Sequence, residues 1–174
     1  VATTYADGST NTIRPTEMVY PNGRTVTYDY GTASGLNDQL SRVASFIDDD
    51  TTSLAAFAYL GLGSVVEQTS PEADLQYTLV NPAGTNDPAT GDIYSGLDRF
   101  GRVQDVRWRD VSAGTDLSRV EYGYDRASNR TWRANPTDAS NHYDWLYGHD
   151  GLHRLQSAQR GTLNGTRTAL SACV

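Results

Sequence analysis

Histidine and aspartate side chains lie close together near the C-terminal end of the sequence, and they are the first candidates for chemistry. His142, His149 and His153 occur near Asp144 and Asp150. Imidazole and carboxylate groups bind metals and serve hydrolases as general acid and base. The spacing of His149 and His153 suits a metal on a helix, but a glycine-containing turn separates them. We interpret the histidines as solvated turn residues and keep His149, Asp150 and His153 as weak candidates for a metal site or a hydrolase.

Other catalytic signatures are missing from the sequence. It contains no Gly-x-Ser-x-Gly motif and no phosphate-binding loop, and the segment 61–63 lacks the third glycine of a dinucleotide site. The single cysteine, Cys173, can neither close a disulfide within the chain nor anchor a metal site. The acidic run 48–50 lacks the alternate spacing of a calcium loop. We therefore expect a protein without enzymatic activity and without a cofactor.

The composition favours β-structure. Only 37% of the 174 residues are apolar, and Tyr, with eleven copies, is the most frequent aromatic residue. Tyr suits a half-buried strand because its ring packs while its hydroxyl reaches water. Sixteen Gly and six Pro indicate many turns. A net charge of −7, with no basic run and no long apolar segment, argues against nucleic-acid binding and against membrane insertion.

Three segments alternate with the two-residue period of a strand that has one half-buried face. These faces are formed by Val26, Tyr28 and Tyr30, by Val120, Tyr122 and Tyr124, and by Tyr143, Trp145 and Tyr147. The segment 53–62 is the best candidate for a helix because its Ala and Leu favour one, although its residues also alternate as in a strand. Turn signals at 21–23 and 164–165, and a longer loop at 81–91, separate such segments. We predict an all-β chain of antiparallel hairpins.

An internal repeat organises these segments. The shared form is Asp, two variable residues, Gly or a small residue, and then Arg or Asn before an apolar residue, with starts near 38, 60, 98, 125 and 150. Asp can cap the turn, Gly supplies a positive φ, and Arg can reach a carboxylate on a neighbouring hairpin. The structural repeat residues are assigned as Asp38, Arg42, Asp98, Gly101, Arg102, Tyr124, Asp125, Arg130, Asp150 and Arg154.

This pattern resembles the YD repeat of the Rhs family, whose signature is Tyr-Asp, two variable residues, Gly, and then Arg or Asn before an apolar residue. Tyr124 and Asp125 match its start, whereas Leu60 replaces the Asp of the second repeat and Leu97 stands where Tyr would precede the third Asp. The resemblance covers roughly residues 18 to 168. Teneurins and the shell proteins of bacterial toxin complexes belong to the same group.

The resemblance implies a strip of β-hairpins that forms part of a YD-repeat shell or a curved sheet. Residues 1–174 are then a single repeat segment of a longer protein, secreted or on the cell surface. The implied role is structural, in an encapsulating shell or a self-assembling surface element. Its partners would be further copies through edge strands, the rest of an Rhs shell, or an encapsulated polypeptide. The alternatives are a module that binds glycans or proteins through exposed Tyr and Trp, and a hydrolase built on the His/Asp cluster.

Overall fold

The computed structural model describes residues 1–6, 13–80, 94–141 and 143–173, so the loop assigned to 81–91 lies outside the described residues. Short helical turns occur at α1 (Leu36–Gln39), Pro71–Ala73 and Pro136–Asn141. The described strands are β1 (Ala2–Tyr5), β2 (Pro15–Val19), β3 (Thr25–Asp29), β4 (Ser45–Asp48), β5 (Ser53–Leu60), β6 (Ser64–Ser70), β7 (Leu75–Thr78), β8 (Asp105–Asp110), β9 (Thr115–Tyr124), β10 (Arg130–Ala134), β11 (Asp144–His149), β12 (Leu155–Leu163) and β13 (Leu170–Cys173). The prediction of an all-β, antiparallel chain is confirmed.

The chain divides into two compact units, Val1–Tyr77 and Thr78–Val174. In the first unit the strands follow one another in sheet order from β1 to β6, and in the second they do so from β8 to β13, while the boundary between the units falls within β7. The pairs β1–β2 through β5–β6 and β8–β9 through β12–β13 are all antiparallel. This order is a meander, in which each strand returns beside the one before it. That residues 1–174 form a single repeat segment stays a prediction.

Aromatic rings form a row across β3, β4 and β5 of the first unit. Tyr28 lies directly opposite Phe46, and their ring centres are 5.0 Å apart. Phe46 contacts Phe57 at 5.8 Å, and Phe57 lies 6.5 Å from Tyr59. Such cross-strand aromatic pairs stabilise a sheet. Residues Ser53–Leu60 of the segment considered as a helix or a strand therefore form strand β5, which contributes two rings to this row.

Few side chains are fully buried, and most strand residues are half-buried. Val66 in the first unit and Thr78 in the second are each only 2% exposed. Glu121, which is 9% exposed, is a charged residue among the buried ones. A buried carboxylate needs ion-pair or hydrogen-bond partners, so neighbouring residues of the fold must supply such partners for Glu121. Among the described residues, no helix is long and apolar enough to cross a membrane.

Candidate functional site: aspartate turns and their links

Three hairpin turns, at 98–102, 125–129 and 150–154, share one backbone geometry and are here called the aspartate turns. In each, the Asp amide donates to the carbonyl of the fifth residue, at 2.9, 3.0 and 2.9 Å. The amide of the fourth residue donates to the Asp carbonyl, at 2.9, 3.1 and 2.9 Å. The fourth residue is left-handed, with φ of 75° at Gly101, 69° at Ser128 and 62° at His153. This is the three-residue hairpin loop that joins a type I turn to a bulge.

The Asp carboxylate closes each aspartate turn from the inside. Oδ1 of Asp98 accepts the amides of Phe100 and Arg102, both at 2.9 Å, and Oδ2 accepts Nε of Arg102 at 2.6 Å. Asp125 and Asp150 make the same three hydrogen bonds in their own turns. Both oxygens of each carboxylate are therefore engaged within the turn that the Asp begins.

These hydrogen bonds favour the ionised carboxylate. The side-chain amide of Asn129 is the largest cause that lowers the pKa of Asp125. For Asp150, the backbone amide and then the guanidinium of Arg154 lower the pKa. A carboxylate that accepts several hydrogen bonds holds its negative charge into acid. The aspartate turns therefore keep their closing bonds at neutral pH.

The fifth residue of the turn 125–129 differs from the sequence assignment. It is Asn129, whose side-chain amide donates to Oδ2 of Asp125 at 2.7 Å. Arg130, which we assigned as the repeat residue, begins β10, and its guanidinium carbon lies 4.2 Å from the ring centre of Tyr122. The structure therefore places Asn129, rather than Arg130, at the position that closes this turn, one residue earlier than a search for arginine suggests.

Asp38 also departs from the expected pattern, because it lies in α1 rather than at the start of an aspartate turn. Its Oδ2 accepts the amide of Ser34 at 2.8 Å. The amide of Arg42 bonds to the carbonyl of Asn37 at 2.8 Å, five residues back. Ser41 nevertheless has a positive φ of 52°, as the fourth residue of the aspartate turns does. The repeat at 38 thus keeps its left-handed residue within a wider loop.

In the second unit, the fifth residue of one aspartate turn reaches the next aspartate turn. Nη1 of Arg102 donates to the carbonyl of Asp125 at 3.2 Å and to Oγ of Ser128 at 3.0 Å. Nδ2 of Asn129 lies 3.0 Å from Nδ1 of His153. These contacts, here called the turn links, join three successive turns in series.

The first unit contains turn links of the same kind. Arg14 pairs with Oδ1 of Asp38 at 2.6 Å and donates to Oγ of Ser41 at 3.1 Å. Nη1 of Arg42 donates to the carbonyl of Gly61 at 2.5 Å. An arginine therefore connects a loop to the one that follows it, even where the acidic residue of the repeat is missing.

A tyrosine hydroxyl binds the backbone carbonyl of the residue that follows each linking arginine. The hydroxyls of Tyr30, Tyr59 and Tyr124 donate to carbonyls of residues 15, 16 and 21 positions earlier in the chain, at 2.9, 2.7 and 2.8 Å. The guanidinium carbons of Arg14, Arg42 and Arg102 lie 4.3, 4.6 and 4.6 Å from the centres of those same rings. Each linking arginine is thus fixed by a cation–π contact while its outer nitrogens reach the next turn.

The fold is similar to that of chains in toxin complexes. One is in the structure of the Photorhabdus luminescens Tc holotoxin pore with a mutated TccC3, at a TM-score of 0.55, 15% identity and 84% coverage of this chain. Another is in the crystal structure of TcdB2-TccC3-Cdc42, at a TM-score of 0.54, 16% identity and the same coverage. The chain spans 6% of either neighbour's length. No protein-family model matches the sequence, and no curated protein matches it. The likeness establishes the fold.

The weak metal candidates surround an aspartate turn rather than a shared centre. Both oxygens of Asp150 are engaged within its turn, Nδ1 of His153 contacts Asn129, and His149 ends β11. Within the described ranges, no group of three His, Cys, Asp or Glu residues could hold a metal ion. His142 lies outside those ranges.

The sequence analysis assigned no role between turns to Arg14, Tyr30 and Tyr59, which the structure places in the turn links and their supports. The available signal was an Arg followed directly by a strand, with a Tyr placed just before a later turn. Arg14 lacks the preceding Asp that marks four of the five repeats, so a search that began with Asp could not find it.

Proposed function

We propose that this chain is a structural segment of an Rhs-type YD-repeat protein that is secreted or on the cell surface. Its hairpins would form part of an encapsulating shell or of a self-assembling surface element. The observation that carries the proposal is the series of turn links, in which Arg102 and Asn129 connect three aspartate turns. Repeat proteins derive their stability from such contacts between neighbouring units. The likeness in fold to chains of toxin complexes supports the same proposal.

The proposed role is non-catalytic. The carboxylate of Asp150, which would have to serve a hydrolase as acid or base, already accepts three hydrogen bonds in its turn. A general base needs a lone pair that can reach a proton of the substrate. The use of this carboxylate as a turn component supports a structural role for the His/Asp cluster.

The proposed partners are further copies of the chain, the rest of a shell, or a polypeptide that the shell encloses. All four residues of β1 are exposed, and β1 pairs with β2. At the other end of the chain, β13 pairs with β12. An edge strand carries backbone groups that a strand of another chain can pair with. The net charge of −7 opposes such pairing, more at low salt than at high salt.

Light scattering across a dilution series at two salt concentrations tests this proposal. We expect the average mass to rise with protein concentration and with salt. A double variant, Thr3→Lys with Ser171→Lys, places a charge on β1 and β13 and should suppress association. Ala58→Lys is the control, because Ala58 is exposed but lies in β5, where it pairs with Glu67 of β6. A monomer at every concentration, with protected edge amides in hydrogen exchange, would contradict self-assembly.

Trp108 supports the alternative proposal of a glycan-binding module. Its side chain lies on β8 and is 42% exposed. An exposed indole on a strand can stack against a sugar ring. A glycan array tests this alternative, which predicts a signal that Trp108→Ala removes. Equal binding by the variant would exclude Trp108 as the sugar platform.

A further inference from the structure

The ring of Trp132 in β10 contacts the guanidinium of an arginine from a distant turn. The guanidinium carbon of Arg167 lies 4.3 Å from the ring centre of Trp132. The same guanidinium pairs with Oε2 of Glu121, 46 residues away in sequence. Arg167 belongs to the turn between β12 and β13, whereas Glu121 lies in β9. The Arg167 side chain thus occupies a site formed by the carboxylate of Glu121 and the ring of Trp132, which lie on two other strands.

Ion pairs with neighbouring arginines fix the Glu121 carboxylate of this site. The side chain of Glu121 is 11% exposed, and its Oε1 pairs with Arg119 at 2.8 Å. Arg119 also pairs with Asp105 at 2.8 Å, and Asp105 lies opposite Glu121 in the β8–β9 pair. Arg107 completes the network through Asp105, at 2.9 Å. Because Oε1 is held by Arg119, Oε2 is the oxygen that faces the incoming guanidinium.

The position of the Trp132 ring in this site requires a glycine in the neighbouring strand. A Cβ at Gly123 would lie 2.0 Å from Nε1 of Trp132, so the ring can rest on β9 only because residue 123 has no side chain. Trp132, Tyr122 and Glu121 line a cavity of about 230 Å³ together with Arg167. An indole face with a carboxylate at its edge suits a guanidinium better than an ammonium. The guanidinium is planar, so it can lie over the ring while it pairs with the carboxylate.

Arg167 is the most exposed charged residue of this arrangement, and its backbone is left-handed. Its φ is 58°, a left-handed conformation that costs free energy for a residue other than glycine. Its side chain is 41% exposed, although that of Glu121 is buried. The turn is closed locally, through hydrogen bonds from the amides of Arg167 and Thr168 to Asn164. Displacement of the Arg167 side chain would leave Glu121 and Trp132 in place, because other residues position them.

We propose that Glu121 and Trp132 form a receptor for an arginine side chain, which Arg167 fills within the chain and which an arginine of another polypeptide fills when Arg167 is displaced. This inference does not depend on the scaffold role, since it rests on one site within the second unit. It assigns a ligand, a guanidinium-bearing side chain, to a place where the fold currently holds its own arginine.

Rescue of Arg167→Ala in the full chain by N-acetyl-arginine amide tests the proposal. We expect the variant to melt at a lower temperature than the wild type and to recover at least half of the loss as the probe saturates. Binding by one cation–π contact and one ion pair corresponds to a Kd in the range of about 1–50 mM. The wild type should show no saturable change in melting temperature. An unchanged melting temperature of Arg167→Ala at saturating probe would overturn the proposal.

Arg24→Ala is the matched control. Arg24 pairs with Asp48, and the two side chains are 43% and 9% exposed, close to the 41% and 11% of Arg167 and Glu121. No aromatic ring lies under Arg24 among the described contacts. Rescue should be absent from Arg24→Ala and from the double variant Arg167→Ala with Glu121→Gln. Equal rescue of Arg24→Ala, or equal rescue of Arg167→Ala by N-acetyl-lysine amide, would overturn the proposal.

A second variant keeps the test valid if Arg167→Ala fails to fold. Arg167→Lys retains the charge but not the planar fork, and the arginine probe should raise its melting temperature through the same contacts. No response from a folded Arg167→Lys would overturn the proposal. A melting temperature of Arg167→Ala that rises with protein concentration would support the proposal with a second copy as the arginine donor.

Discussion

A substitution at Gly101 changes stability through the backbone conformation alone, without an effect on side-chain packing. Its φ is 75°, and a Cβ built there would meet no atom within 4 Å. The cost of Gly101→Val is therefore that of holding a β-branched residue in the left-handed region, about 1–2 kcal/mol. We expect the free energy of unfolding to fall by this amount in urea denaturation followed by circular dichroism.

Gly151 provides the control for this prediction. It lies in the aspartate turn 150–154, and a Cβ there also meets no atom within 4 Å, but its φ is outside the left-handed region. Gly151→Val should change the free energy of unfolding by less than about 0.5 kcal/mol, as is usual for surface substitutions. Equal losses in the two variants would refute the conclusion that a positive φ sets the cost at Gly101.

Three further predictions concern other turns. Thr51 has a φ of 73°, so Thr51→Gly should raise the free energy of unfolding by about 0.5–1 kcal/mol, and a decrease in urea denaturation would contradict this. Arg24 lowers the pKa of Asp48 from 3.8 to about 2, so the pair stabilises the fold at neutral pH, and this contribution is lost as the pH falls toward about 2. In an NMR titration, Arg24→Ala should raise that pKa toward 3.8, and an unchanged midpoint would count against the pair. Elemental analysis should find no stoichiometric zinc or copper, and one metal per chain that is lost on His149→Ala would overturn this expectation.

The strands could be predicted from the sequence because their side chains alternate. Tyr122 and Tyr124 lie in β9, and Trp145 and Tyr147 lie in β11, as the two-residue period indicates. The turn at 98–102 could be predicted in the same way. Its Asp and Gly occur at the spacing that the loop requires for a capping side chain and for a positive φ. These features depend on residues close together in the chain, which is why local chemistry suffices to find them.

The contacts between hairpins could not be predicted in the same way. Arg102 and Ser128 are 26 residues apart, and their contact depends on the register of every strand between them. The pairing of Arg167 with Glu121 spans 46 residues and also requires a glycine where the ring of Trp132 passes. The sequence names the residue types for such contacts, but only the assembled sheet decides which partners meet.

A double-mutant cycle between Arg102 and Ser128 tests the central claim, that links between turns hold the hairpins in series. The single variants Arg102→Ala and Ser128→Ala and their combination are compared with the wild type in urea denaturation. A hydrogen bond between partners in contact predicts a coupling free energy of about 0.5–1.5 kcal/mol. A control cycle of Arg102 with Ser112, whose Oγ binds Asp110 at 2.8 Å, should give none. A coupling no larger than that of the control cycle would contradict the account.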